Sequence, residues 1–229
     1  MSSKPRPRQL TTPRAAALAG VIFALLFGAV LILIRTNMPE GAADSSEWLN
    51  SRGSGIATAT TLMPFAGISF LWFIGVVRDG LGRYEDKFFS SVFLGSGLLF
   101  LAMMFVSTAV AAGLVASNAG VTDPSAHAET IQFGKMVMLA VTQTYAVRMA
   151  AVFMMSLATI WLRTGLMPRW LVGLSYLAAV ALLFAGNISM WITMAFPVWV
   201  LMVSGLLLAR AGLFEELSTG GDVPTEPAR

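Results

Sequence analysis

The chain has 229 residues, of which 56% are hydrophobic and 12% charged, with a mean hydropathy of +0.74; ordinary soluble domains carry roughly 25% charged residues, so this composition excludes a water-soluble surface. With no cysteine and one histidine, the chain has no disulfide framework, thiolate metal site, iron–sulfur cluster, cysteine nucleophile or His-rich ligand set, and neither a metal nor a cofactor is expected. Its net charge of +3 and pI near 9.7 fit basic loops on the cytoplasmic face of a membrane, and nucleic acid is not expected as a partner.

Residues 1–14, "MSSKPRPRQLTTPR", read as a flexible basic leader, too polar and Pro-rich to fold alone. The first apolar run, Ala15 to Ile34, has the roughly 20 residues that a membrane-crossing helix needs and exceeds the roughly 7 to 15 of a cleaved signal core. It is read as a retained anchor, even though Gly41-Ala42-Ala43 lies downstream. Within it Ala16, Gly20, Ala24 and Gly28 recur every fourth residue, a small-residue stripe that lets another helix come close. An intramolecular neighbour is the default for this stripe; a homo-oligomer is not predicted.

Further spans fall at about Ile56 to Val77, Phe88 to Val115, Thr142 to Leu162, Trp170 to Gly186 and Ile188 to Ala209. Pro64 removes a backbone donor from the second and should bend it. Gly95-Ser96-Gly97 offers a close approach on the third. The fourth has room to start earlier, because Glu129 to Gln143 can be helical outside the bilayer. The last two form one apolar stretch that Gly186-Asn187 divides with a turn. Residues 211–229 read as a flexible tail, so the expected architecture is an all-α, six-helix transmembrane bundle over residues 15–210.

Lys4, Arg6, Arg8, Arg14, Arg78, Arg83, Lys87, Arg163, Arg169, Arg210 and Arg229 fall on one side of that topology, and Arg35, Arg52 and Lys135 on the other. By the positive-inside rule both termini are cytoplasmic. The two cytoplasmic hairpins, "FLWFIGVVRDGLGR" and "SLATIWLRTGLMPR", are alike; a duplicated hairpin and the general preference of short inside loops for basic residues and glycine both account for this.

Catalysis needs a nucleophile with a base, a carboxylate pair or a metal set, and none is legible. His127 stands in "TDPSAHAET" near Asp123 and Glu129, the pattern of a solvated loop. The acids Asp79, Glu85 and Asp86 alternate with Arg78, Arg83 and Lys87 in an inside loop, where solvated pairing is expected. The residue that stands out is Arg148, inside the apolar "QTYAVRMAAVFMM". The helix from Arg148 to Arg163 rises about 22 Å at roughly 1.5 Å per residue, placing Arg148 toward the outer boundary of a core of about 30 Å.

Two accounts fit Arg148. In one it snorkels to the outer headgroups. In the other it anchors a polar pocket with Thr144, Gln143, Tyr145, Thr61, Thr108 and Asn187, joined by Thr58, Thr60, Ser107, Ser189 and Thr193 at the same level. A guanidinium in such a ring suits a planar anion, a lipid headgroup or a partner's carboxylate, because it donates parallel hydrogen bonds.

The stretches "LMPFAGISFLWFIGVVRD", "EDKFFSSVFLGSGLLF" and "RTGLMPRWL" resemble an uncharacterised six-helix integral membrane protein family of bacteria, of actinobacterial type, over most of residues 14–210. The resemblance implies a bacterial plasma membrane and supplies no activity and no catalytic residue. The expected role is non-enzymatic, an accessory or assembly subunit or a lipid-binding membrane module, with membrane lipids and another membrane protein as the partners considered. A small-molecule or lipid transporter or channel is the alternative. An intramembrane enzyme ranks third, since it would have to work from Arg148, Tyr145 and hydroxyls.

Overall fold

The computed structural model describes residues 12–37, 45–81, 87–117, 123–185 and 190–219, and among them it contains helices and no strand. In chain order these are α1 (Thr12–Asn37), α2 (Ser45–Leu81), α3 (Lys87–Ser117), α4 (Pro124–Leu139), a π-helical turn (Ala140–Ala146), α5 (Val147–Thr164), α6 (Arg169–Ala185), a 3₁₀ turn (Met190–Met194) and α7 (Ala195–Thr219). Because α4, the π turn and α5 follow without a break, the bundle has six rods. The turn expected at Gly186-Asn187, together with Ser189 and Gly41-Ala42-Ala43, lies outside the described residues.

Five rods are long and apolar enough to cross a membrane, and α6 is apolar over Arg169–Phe184 but shorter. Isoleucine, leucine, valine and phenylalanine drive these segments out of water, and the backbone then has to satisfy its own hydrogen bonds, which a helix does within one segment. α2, at roughly 55 Å, and the α4–π–α5 rod both overrun a bilayer core. The excess is at the end away from the basic loops, where α4 packs on α3 and touches α2. The earlier start foreseen for the fourth span is therefore present from Pro124 onward.

Several ends have visible causes. Asp123 caps α4, its Oδ1 accepting from Ser125 N (2.9 Å), Ser125 Oγ (2.7 Å) and Ala126 N (3.4 Å), with Pro124 at the first helical position. Those bonds, the Ser125 hydroxyl first, hold the Asp123 carboxyl below its ordinary pKa. α5 stops at Gly165, which takes φ 65° so that its N–H reaches Trp161 O at 2.9 Å. The matching glycine of the other basic hairpin, Gly80, is still inside α2, so the two hairpins end their helices differently. Pro64 sits within an unbroken α2 with its ring exposed.

α1 packs between α2 and α7, while α3 lies against α2 and α5, and α6 covers α5. The centre is a cluster of aromatic rings. Phe70 of α2 lies 4.5 Å from Phe23 (α1), 5.6 Å from Phe100 (α3), 5.3 Å from Phe153 (α5) and 5.8 Å from Phe196 (α7), between ring centroids. One side chain thus ties five helices, at spacings where edge-to-face and offset contacts are favourable.

Of the small-residue stripe, Gly20 and Ala24 are buried inside the chain. A Cβ on Gly20 would fall 2.0 Å from Ser204 Oγ and 2.8 Å from a Phe73 ring carbon, so glycine is what lets α1 and α7 approach here. Gly28 has nothing within 4 Å of that position, and Ala16 has no described side chain.

Candidate functional site

A change of helical phase builds the site. The buried residues of α4 are His127, Ile131, Gly134 and Met138, an i, i+4, i+7, i+11 series whose next full repeat is residue 145. Tyr145 is instead 57% exposed and Ala146 is fully buried. The α5 series then runs Ala146, Ala150, Phe153, Leu157, all buried. The chain therefore carries one residue more than a continuous α-helix accommodates, and the π turn at Ala140–Ala146 absorbs it.

Arg148 lies just past that turn. Its Nη1 donates to Thr144 O at 2.5 Å and makes a long, weak contact of 3.5 Å with Gln143 O. The partner of this guanidinium is its own helix backbone. Thr144 takes part through its carbonyl oxygen, and Arg148 is half-buried.

A crevice opens beside the turn, between α1, α3, the end of α4, the π turn and the 3₁₀ turn. Its polar lining is Arg35, Ser107, Thr142, Gln143, Trp191 and Thr193, and its apolar lining is Leu31, Ile34, Met104, Met138, Leu139 and Met194. Its cavity volume is about 30 Å³, room for a water or two in this conformation. A second, narrower space of about 10 Å³ shares Leu31, Met104, Thr142 and Thr193 with the first and reaches Phe27, Phe100 and Phe196. Together they form a slot with a polar mouth and an aromatic floor. The mouth is held by a hydrogen bond between Ser107 and Thr142 (2.8 Å) that joins α3 to the π turn.

The residues foreseen around Arg148 separate into groups. Gln143, Ser107 and Thr193 meet at the mouth. Thr61 is exposed and its hydroxyl returns to Ala57 O (2.9 Å); Thr58 and Thr60 likewise bond Ser54 O (2.9 Å) and Ala57 O (2.8 Å). Thr108 is buried with its hydroxyl on Met104 O (2.9 Å). Tyr145 faces outward, and Asn187 lies outside the described residues. These hydroxyls close on their own helices because an i−3 or i−4 carbonyl is within reach, and in an apolar medium an unpaired hydroxyl is costly.

Sequence reasoning counted Arg35 for topology alone and passed over Thr142 and Trp191. One signal for Arg35 was present: it follows Phe27 and Leu31 at intervals of eight and four, and so shares the face of two buried residues. His127 is also unexpected, being 8% exposed with a buried Nε2 that has no hydrogen-bond partner.

Chemically, the mouth combines a guanidinium, an amide, hydroxyls and an indole, donor types that suit phosphate-like oxygens, above methionines whose flexible thioethers adapt to irregular apolar guests. Among the described residues no group of His, Asp and Glu is placed to hold a metal ion. Comparison of the chain with protein-family models, curated proteins and solved structures finds no match.

Proposed function

We propose that this multi-pass membrane protein is a non-enzymatic lipid-binding module of a bacterial plasma membrane, holding one phospholipid in the outer-leaflet crevice. The single observation that supports the reading is the slot itself, polar at the membrane boundary and apolar below. A phospholipid has the same order, with a phosphate for Arg35 and Gln143 and a chain that would enter by parting Met104, Leu31 and Phe196, whose thioether, alkyl and aromatic side chains line the narrow space below the mouth. Arginine suits the phosphate because its planar fork donates two bonds at once. The aromatic floor argues against the transporter reading, since a polar solute would have to pass the Phe70 ring cluster.

Full-length protein purified in mild detergent and weighed by native mass spectrometry tests this. Wild type should retain a phospholipid, Arg35→Gln should lose preference for anionic headgroups, and Met104→Trp, which fills both spaces, should abolish retention. Equal retention by wild type and Met104→Trp would overturn the reading. Solute flux in proteoliposomes would restore the transporter.

A further inference from the structure

We infer that Arg148 is the positioning residue of this crevice: it pins the π turn that presents Thr142 and Gln143 to the mouth. The inference rests on the lipid reading only for the nature of the ligand. The role of Arg148 in the turn stands on the backbone geometry.

Val147 N–H pairs with Thr142 O, five residues back. An α ladder that resumes at the next residue pairs Arg148 N–H with Thr144 O, four residues back. On that ladder Gln143 O would receive no backbone N–H. In water such a carbonyl would be hydrated, but this one belongs to a membrane-spanning rod, where the backbone has to find partners within the protein. The two carbonyls at the junction, Thr144 O and Gln143 O, are the two that Arg148 Nη1 faces. A charged donor fits there better than a hydroxyl, because it brings several N–H groups on a stem long enough to reach back a full turn.

The consequence reaches the mouth of the crevice through the chain itself. The turn that Arg148 holds carries Thr142, bonded to Ser107, and Gln143, which lines the crevice. Relaxing the turn to α geometry would rotate both by roughly one residue's worth, about 100°, relative to α5. Arg148 therefore shapes the site without lining it.

The experiment compares full-length wild type, Arg148→Leu and Arg148→Lys in lipid-free detergent micelles and after addition of phosphatidylglycerol. It reads amide hydrogen exchange of the Ala140–Ala150 segment and of α3, together with phospholipid retention. Arg148→Leu should speed exchange in the segment about tenfold, the effect of losing one charge-assisted bond, leave α3 unchanged, and weaken retention. Arg148→Lys restores a donor and should recover most of both. Weaker retention with unchanged lipid-free exchange would overturn the inference in favour of direct ligand contact. Unchanged exchange and retention would overturn it in favour of simple snorkelling. Should wild type itself retain no phospholipid, the lipid reading falls, and the exchange ratio with its lysine rescue alone upholds or overturns the role of Arg148.

Discussion

The basic end of the bundle and the crevice side of the opposite end are built from similar residues and differ in packing at matched positions of α1. Toward the basic end a Cβ on Gly20 would strike Ser204 and Phe73, and one on Gly97 would lie 2.8 Å from Ile74 and 3.0 Å from Phe153. Polar side chains there join helices: Trp199 Nε1 donates to Ser175 Oγ at 2.8 Å, and the Thr159 and Tyr176 hydroxyls meet at 2.7 Å. The Arg163 guanidinium lies 4.7 Å from the centre of the Phe89 ring, a favourable cation–aromatic contact. Toward the opposite end Gly28 has no neighbour within 4 Å of a Cβ, and the Ser107–Thr142 bond lies at the edge of a crevice. Lipid chains are as apolar as leucine, so helices in a membrane associate through close packing and interhelical hydrogen bonds. Where one side of a bundle forgoes that packing and places polar groups at the gap, the gap is the candidate site.

The strongest way to break this contrast is to open a void in the packed region. Phe70→Ala removes the ring shared by five helices and should destabilise the protein by about 3 kcal/mol, mostly through the cavity left behind. Equilibrium unfolding in mixed micelles measures it. A loss below about 1 kcal/mol would mean that the cluster repacks freely, and the contrast in packing would lose its meaning.

A paired substitution on α1 sharpens the comparison. Gly20→Ala should cost about 2 kcal/mol, because the Phe73 ring cannot swing clear as easily as the Ser204 hydroxyl. Gly28→Ala should be neutral to slightly stabilising, since alanine is the better helix former by about 1 kcal/mol and meets nothing. Equal effects at the two positions, read from the same unfolding curves, would show the stripe to be uniformly packed.

The smallest expected effect is at the mouth. Thr142→Val removes the bond to Ser107 while keeping side-chain shape, and should cost about 0.6 kcal/mol, the usual size of such a bond within a membrane. Its informative readout is phospholipid retention, which should fall more than stability does. A variant that lost stability and kept retention would place Thr142 among the structural hydroxyls, beside Thr159 and Ser175.

Much of the architecture was legible in advance. The apolar runs from Ala15, Ile56, Phe88 and Thr142 lie within membrane-length helices, and the described part of the run from Ile188 is membrane-length over Trp191–Ala209, whereas the run from Trp170 forms a shorter rod. Its expected limits, Trp170 to Gly186, match α6 within one residue, and its 17 residues are fewer than the roughly 20 that cross a bilayer core. Arg148 was legible as an anomaly, and its depth followed from helical rise. Its partner did not follow, since Thr144 enters through its backbone and a π turn leaves no composition signal. The trace it does leave is the slip in phase between His127–Met138 and Ala146–Leu157. That slip can be read only once the buried face of each segment is known.

The site divides along the same line. The sequence by itself determined which segments are apolar and long enough to leave water, because this depends on composition and distance along one rod. Only the tertiary structure decided that Arg35 joins Gln143, Thr142 and Ser107 at the crevice while Arg148 turns back on its own helix. The direction in which a side chain leaves a helix is set by the neighbours packed around it, and one inserted residue is enough to change it.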